Sequence, residues 1–267
     1  MNHLRHILEE DPPKGRLDKA ALEIASIQTP GLEAEPYLDR MNELAANLGD
    51  RLRNFNDGRE FVEVAQRYLF EELGYGGNEN DFFNARNSCL DQVLTHKLGI
   101  PITLSVFYME IARRLAMPVF GIGLPRHFIV QFDDERYNTY VDPYHGGKAI
   151  TMADCFALAG AKIADPVLLR RASKKDIAMR MLQNLRAAYL RDKDWPRAAV
   201  TLDWLILGAP GIAHWYKQRA TLRLELNRKQ DARRDLERYL ELEPDATDRD
   251  QIEQQLRAIH TWMARNN

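Results

Sequence analysis

Cysteine is nearly absent from this chain: Cys89 and Cys155 are the only two in 267 residues. Two thiols 66 positions apart make neither a disulfide framework nor a Cys-x-x-Cys metal or redox motif. Long apolar runs are missing as well. The opening stretch MNHLRHILEEDPPKG has the pattern of neither a signal peptide nor a membrane anchor, so a soluble, cytoplasmic protein without membrane contact is expected. An excess of one charge is also lacking, since the formal net charge is −2. That small value hides an asymmetry. Residues 1–170 hold 18 Lys and Arg against 25 Asp and Glu, whereas 171–267 hold 19 against 14. Opposite signs favour docking of the two parts, or a mildly basic tail surface for an acidic partner. No basic stripe is interleaved with aromatics, so a nucleic-acid partner is not expected.

With 45% hydrophobic residues, the chain is long enough to bury two modest cores. Residues 1–15 read as a loose arm, because Pro12, Pro13 and Gly15 interrupt a helix. Helical spacing follows in Leu17, Ala20, Ala21, Ile24 and Ile27, and again in Leu38, Met41, Leu44, Ala45 and Leu48. A third helix is predicted from Arg59 to Leu73. The cluster Gly74-Tyr75-Gly76-Gly77-Asn78 reads as a loop, and a helix from about Cys89 to Leu98 follows with Ser88 as its cap. The first domain ends near 170, and 161–175 is the connection, with Pro166 and the basic pairs Arg170-Arg171 and Lys174-Lys175.

The chain is organised around GIPITLSVFYMEIARRLAMPVFGIGLPRHFIVQFDDERYNTYVDPYHGG, residues 99–147. A helix from about Ile102 to Leu115 places Leu104, Phe107, Ile111 and Leu115 on one stripe and Glu110, Arg113 and Arg114 on the other. Strands are predicted over 119–123, 126–132 and 137–141. His127 lies on the second, and Asp142 closes the third 15 residues later; an antiparallel pair turning at Asp133-Asp134-Glu135 brings the two together. An imidazole beside a carboxylate can act as an oriented base, provided that a nucleophile faces it. The helix start offers no cysteine. Thr103 and Ser105 are the hydroxyls available there, and Cys89 is a thiol at another helix start, where the dipole favours a thiolate. Each has a bland counterpart: the hydroxyls satisfy backbone groups of the first turn, and Cys89 is a small buried apolar residue. Cys155, among Phe156 and Leu158, reads as core. Arg126 and His145 are candidate ligand-binding residues at the mouth of the same cleft. The pairs His3/His6 and His96/His127 and the turn residue His145 give no zinc spacing, so no metal or cofactor is expected.

The strings NSCLDQVLTHKLGIPITLSVFYMEIARRL, LPRHFIVQF and YVDPYHGG resemble the bacterial SirB-type family. Its N-terminal domain is transglutaminase-like, and a tetratricopeptide-like tail follows. The resemblance covers nearly the whole chain and implies an α+β fold: a transglutaminase-like (papain-like) core with a helical N-terminal layer, then a small all-α domain. It also implies that the cysteine of active relatives would stand between Pro101 and Thr103, a position this family generally leaves without a thiol. Arg126 stands where members commonly carry Gly.

The tail, 176–267, carries a repeat of its own. Ala198, Leu202 and Pro210 recur 34 residues later as Ala232, Leu236 and Pro244, the tetratricopeptide period. Arg219 and Arg223 replace the Leu185 and Tyr189 of the first copy. Residues 246–265 form a capping helix bearing Ile252, Leu256, Ile259 and Trp262. Two repeats are few for an independent superhelix, so the tail is expected to pack on the first domain. Two functions follow. One is a non-catalytic interaction or regulatory protein built on a degenerate transglutaminase-like domain, with an unidentified protein partner at the tail. The other is an amide-bond hydrolase or acyltransferase using His127 and Asp142 with Thr103, Ser105 or Cys89 as nucleophile.

Overall fold

The computed structural model describes residues 2–266 apart from 13, 162 and 164. The chain forms two compact units, Met1–Asn184 and Leu185–Asn267. The sequence places the change at 170–176, where the composition turns wholly helical. The division lies later because Ala172 N–H donates to the Gly121 carbonyl at 2.8 Å, and Ile177 packs where a Gly121 side chain would stand.

The first unit opens with α1 (Asn2–Glu10), α2 (Leu17–Ala25), α3 (Glu35–Gly49) and α4 (Gly58–Ala65). The expected loose arm is therefore a helix. Pro12 ends it rather than preventing it, because Leu4, Ile7 and Leu8 form a buried stripe at helical spacing. Glu23 of α2 accepts from the His3 and Leu4 amides at 3.2 and 2.7 Å. Pro13 lies outside the described residues. α4 runs into a π-helical turn over Gln66–Glu72. Within the expected glycine loop, β1 (Gly76–Gly77) pairs in parallel with β2 (Leu98–Gly99) across α5 (Leu90–His96).

At the centre is α6 (Pro101–Arg114), buried on almost every side. Its polar stripe is tied inward, although the Arg113 side chain stays partly exposed. Glu110 is buried and accepts from Arg113 Nε at 2.6 Å and Arg114 Nη1 at 3.3 Å. The same arginines reach Asp18 of α2 at 3.1 and 2.8 Å, and Arg16 holds that carboxylate through both oxygens. Four antiparallel strands, β3 (Val119–Ile122), β4 (Ile129–Asp133), β5 (Asn138–Asp142) and β6 (Lys148–Ile150), form a meander in chain order. Phe132 meets the Phe61 ring of α4 at 5.6 Å. Ile122 and Ile129 pack with Cys155 and Ala159, at and just beyond α7 (Met152–Leu158).

The second unit contains the end of α8 (Lys174–Arg191), then α9 (Trp195–Gly208), α10 (Ala213–Glu225), α11 (Lys229–Leu242) and α12 (Arg249–Asn266). Ala198, Leu202, Ala232 and Leu236 are buried, as the 34-residue period requires. The departure in the second repeat has a partner. Arg219 grips Asp235 of α11 through both oxygens at 3.0 and 2.6 Å, and Arg223 joins it at 2.9 Å. Asp203 of α9 takes the other ends of both guanidinium groups at 2.6 and 3.2 Å. An ion network stands there in place of the apolar contact of the first repeat.

Candidate functional site

His127 is set by a tight turn and a helix. Its amide donates to the Leu124 carbonyl at 3.3 Å, closing Leu124-Pro125-Arg126-His127. Proline second and a positive φ of 61° at Arg126 third are the marks of a type II turn, in which the third position favours glycine. That accounts for the glycine common to the resembling family. Beyond the turn, Ser105 Oγ of α6 donates to the Phe128 carbonyl at 3.3 Å, bracing the start of β4 on the central helix.

Pairing of Val130 with Val141 carries residue 129 opposite 142, which brings Asp142 to the start of β4. The His127 ring donates from Nε2 to Asp142 Oδ2 at 2.9 Å. The sequence does not reveal a third member. His145 Nδ1 reaches the same oxygen at 2.7 Å, and the His127 and His145 rings stack with centroids 5.5 Å apart. The other oxygen, Oδ1, accepts from the Tyr144 and His145 amides at 3.0 and 3.4 Å. Burial of Asp142 opposes its ionisation, but the hydrogen bonds and charges of His127 and His145 outweigh burial and hold the carboxyl below the usual range.

Two glycines allow the turn that carries His145. Gly147, at φ 66°, lies so close to the Phe70 ring that a Cβ would meet it at 2.2 Å, and a Cβ on Gly77 would meet the Tyr144 ring at 2.5 Å. Gly77 thus presses its backbone against the Tyr144 ring. Tyr144 in turn stands edge-on to His127 at 6.0 Å.

None of the three nucleophile candidates is a partner of the His127 ring, whose hydrogen bond among the described residues is to Asp142. Thr103 is fully buried; its hydroxyl donates toward the Asn87 carbonyl at 2.5 Å and accepts from the Ile100 amide at 3.2 Å. Ser105, equally buried, spends its proton on Phe128. Cys89, and not Ser88, is the N-cap residue of α5, and its buried thiol points at the Ala85 carbonyl at 3.5 Å. Cys155 is buried in the small core, which pushes its thiol up to about 12. Pro101 and Ile102, at the position reserved for the missing cysteine, are buried too.

A cleft of about 450 Å³ opens beside Asp142, lined by His145, Lys148, Ile150, Asp154 and Leu158. Arg126 does not line it. Its guanidinium extends instead toward Gly160, just past α7.

Comparison with known families agrees with this architecture. Residues 35–183 match the family model described as transglutaminase-like superfamily, and 185–257 match a tetratricopeptide repeat model. A UPF0162 protein of Xylella fastidiosa is 30% identical over 259 residues, which span 94% of this chain and 91% of that protein. A UPF0162 protein of Pseudomonas aeruginosa is 31% identical over 257 residues, 93% of this chain and 92% of that one. F-box only protein 21 of Mus musculus is 31% identical over 134 residues, covering 47% of this chain and 21% of the mouse protein. No described helix is long and apolar enough to cross a membrane.

Proposed function

Because the chain belongs to the transglutaminase-like superfamily and, over 94% of its length, to the UPF0162 proteins, we propose that it is a SirB-type, non-catalytic interaction or regulatory protein of the cytoplasm. In this reading the former catalytic cleft serves binding or architecture, and the tetratricopeptide unit engages a protein partner. One observation carries it. Thr103, Ser105 and Cys89 are each buried and committed to a backbone carbonyl, Asn87, Phe128 and Ala85 respectively. A hydroxyl becomes a useful nucleophile only when a base is hydrogen-bonded to it, and none of the three is hydrogen-bonded to the His127 ring, whose Nε2 meets Asp142. A thiol at a helix start is activated when it is also accessible, and Cys89 is fully buried.

The match to a fifth of a longer F-box protein supports a domain used as a module beside other parts. The tail match supports protein contacts, since stacked helical repeats present extended surfaces for partners.

The test is labelling of the purified full chain with thiol-directed and serine-directed electrophilic probes, in wild type and in His127→Ala. No His127-dependent labelling is expected. Modification of Thr103, Ser105 or Cys89 that disappears in His127→Ala would establish the hydrolase or acyltransferase reading instead.

A further inference from the structure

We propose that His127, Asp142 and His145 form a binding site for one divalent transition-metal ion of the zinc class, open to the cleft beside β6. The inference goes beyond the reading above, which assigns the cluster no ligand.

The donor atoms already converge. His127 Nε2, His145 Nδ1 and a carboxylate oxygen of Asp142 all lie within 4.8 Å of one another. The two nitrogen–oxygen separations are 2.9 and 2.7 Å. Zinc binds nitrogen and oxygen donors at about 2.0–2.2 Å, so tetrahedral donors stand roughly 3.3 Å apart. Each nitrogen–oxygen pair needs to open by only about half an ångström to admit the ion.

The support around the donors is built as metal sites require. Asp142 Oδ1 is fixed by the Tyr144 and His145 amides, and the Gly147 amide donates to the Asp142 carbonyl at 2.8 Å. Oδ2 is thereby left as the point on which two imidazoles meet. Tyr144 stands edge-on to both rings. His127 and Asp142 are buried, whereas the His145 side chain is 50% exposed. An ion can therefore enter from the cleft, and its fourth position faces solvent there. Lys148 and Asp154 line the same opening; Asp154 is engaged in capping α7 through Thr151.

Two imidazoles and one carboxylate select a borderline transition ion over calcium or magnesium, which take oxygen donors. In the ion-free site His127 Nε2 and His145 Nδ1 carry the protons that meet Asp142 Oδ2. Ion binding shifts each proton to the other ring nitrogen, Nδ1 of His127 and Nε2 of His145, or releases it to solvent, and no added reactant is needed.

The experiment is calorimetric titration of Zn²⁺, and optical titration of Co²⁺, into the full chain after chelator treatment and its removal. One ion per chain is expected, with Co²⁺ giving the intense visible bands of four-coordination. His145→Ala should weaken binding by at least about tenfold, the scale reached when even outer-shell partners of metal ligands are lost. His96→Ala, an exposed histidine elsewhere, should leave it unchanged. Zn²⁺ should raise the Tm of wild type but not of His145→Ala, each compared with its own value in chelator. Failure to bind one ion, or equal binding by wild type and His145→Ala, overturns the site and leaves the non-catalytic reading standing. Zinc-dependent amide hydrolysis would uphold the site and overturn that reading.

Discussion

Asp18 and Asp142 are both buried aspartates, and both are held below the usual carboxylate range against the opposing effect of burial. Their surroundings differ in kind. Asp18 is enclosed by three guanidinium groups, from Arg16, Arg113 and Arg114, and by the Lys19 amide at 2.9 Å. Those cations are permanent, and Glu110 balances two of them. Asp142 instead meets two imidazoles, whose charge depends on pH, and one of the rings stands in an open cleft. The first cluster ties α2 to the far end of α6 and is complete within the fold. The second holds two nitrogen donors that can release their protons and a face that solvent reaches. A structural ion cluster and a ligand-ready cluster can thus share a buried aspartate and differ in the valence left unsatisfied.

The sharpest way to break this contrast is to remove the enclosed carboxylate. Asp18→Ala leaves Arg114 with Glu110 alone and releases Arg16 and Arg113, which water already reaches, so the loss should lie at the low end of that for a broken buried ion pair, about 3 kcal/mol. Chemical denaturation should show a loss of that size. Glu110→Gln should cost clearly less, because burial and then the charge of Asp18 hold the Glu110 carboxyl above its usual range and so weaken the advantage of its charged form. Equal losses would mean that the two acids are equivalent members of the network.

Acid is the second probe. Asp18 has a folded pKa below its unfolded value, so its stabilisation is fully present above the ordinary aspartate range. It is lost as pH falls through that range, below about pH 4. The wild-type midpoint for urea unfolding should fall from pH 5 to pH 3, and the Asp18→Ala protein should show a shallower fall. Identical slopes would remove Asp18 as the cause.

At the open cluster, smaller effects are expected. His127→Ala removes a hydrogen bond to a buried carboxylate, worth about 1.5–3 kcal/mol, and thermal melting should register the loss. His145 still holds Asp142 in that variant, which keeps the figure below that for Asp18→Ala. A loss as large as that of Asp18→Ala would make the His127 pair as structural as the ion network.

These two clusters were not equally legible in the sequence. Asp142 ends one strand and His127 stands in the turn two residues before its neighbour, so the antiparallel pairing expected from the sequence brings them together although His127 itself lies outside the strand. His145 joins them through the turn geometry of Gly146 and Gly147, both at positive φ, and residue spacing does not encode that. The Asp18 cluster depends on a contact between residues 95 and 96 positions apart; periodicity within α6 marks Arg113 and Arg114 as polar, and polar reads as solvent-facing. α1 was hidden by its prolines, whose message is where a helix stops. β6 is three residues long, too short for alternation to show. Arg219 and Arg223 looked like lapses in the second repeat because their partners, Asp235 and Asp203, lie on other helices.

Arg126 gives the finest test, since it adjoins the open cluster in sequence without touching it. Its φ of 61° lies in the left-handed region, which costs a side-chain-bearing residue roughly 1–2 kcal/mol. Glycine removes that strain, but its extra freedom in the unfolded chain takes back about 0.5–1 kcal/mol. The difference is a gain of about 0.5 kcal/mol for Arg126→Gly. Arg126→Ala keeps the strain and deletes the guanidinium that extends toward Gly160, so the pair of variants separates backbone from charge. If the open cluster owes nothing to a neighbouring cation, Arg126→Gly should be slightly more stable than wild type and Arg126→Ala should match wild type within about 0.5 kcal/mol. A clear loss of stability in both variants would make Arg126 for Asp142 what Arg114 is for Asp18.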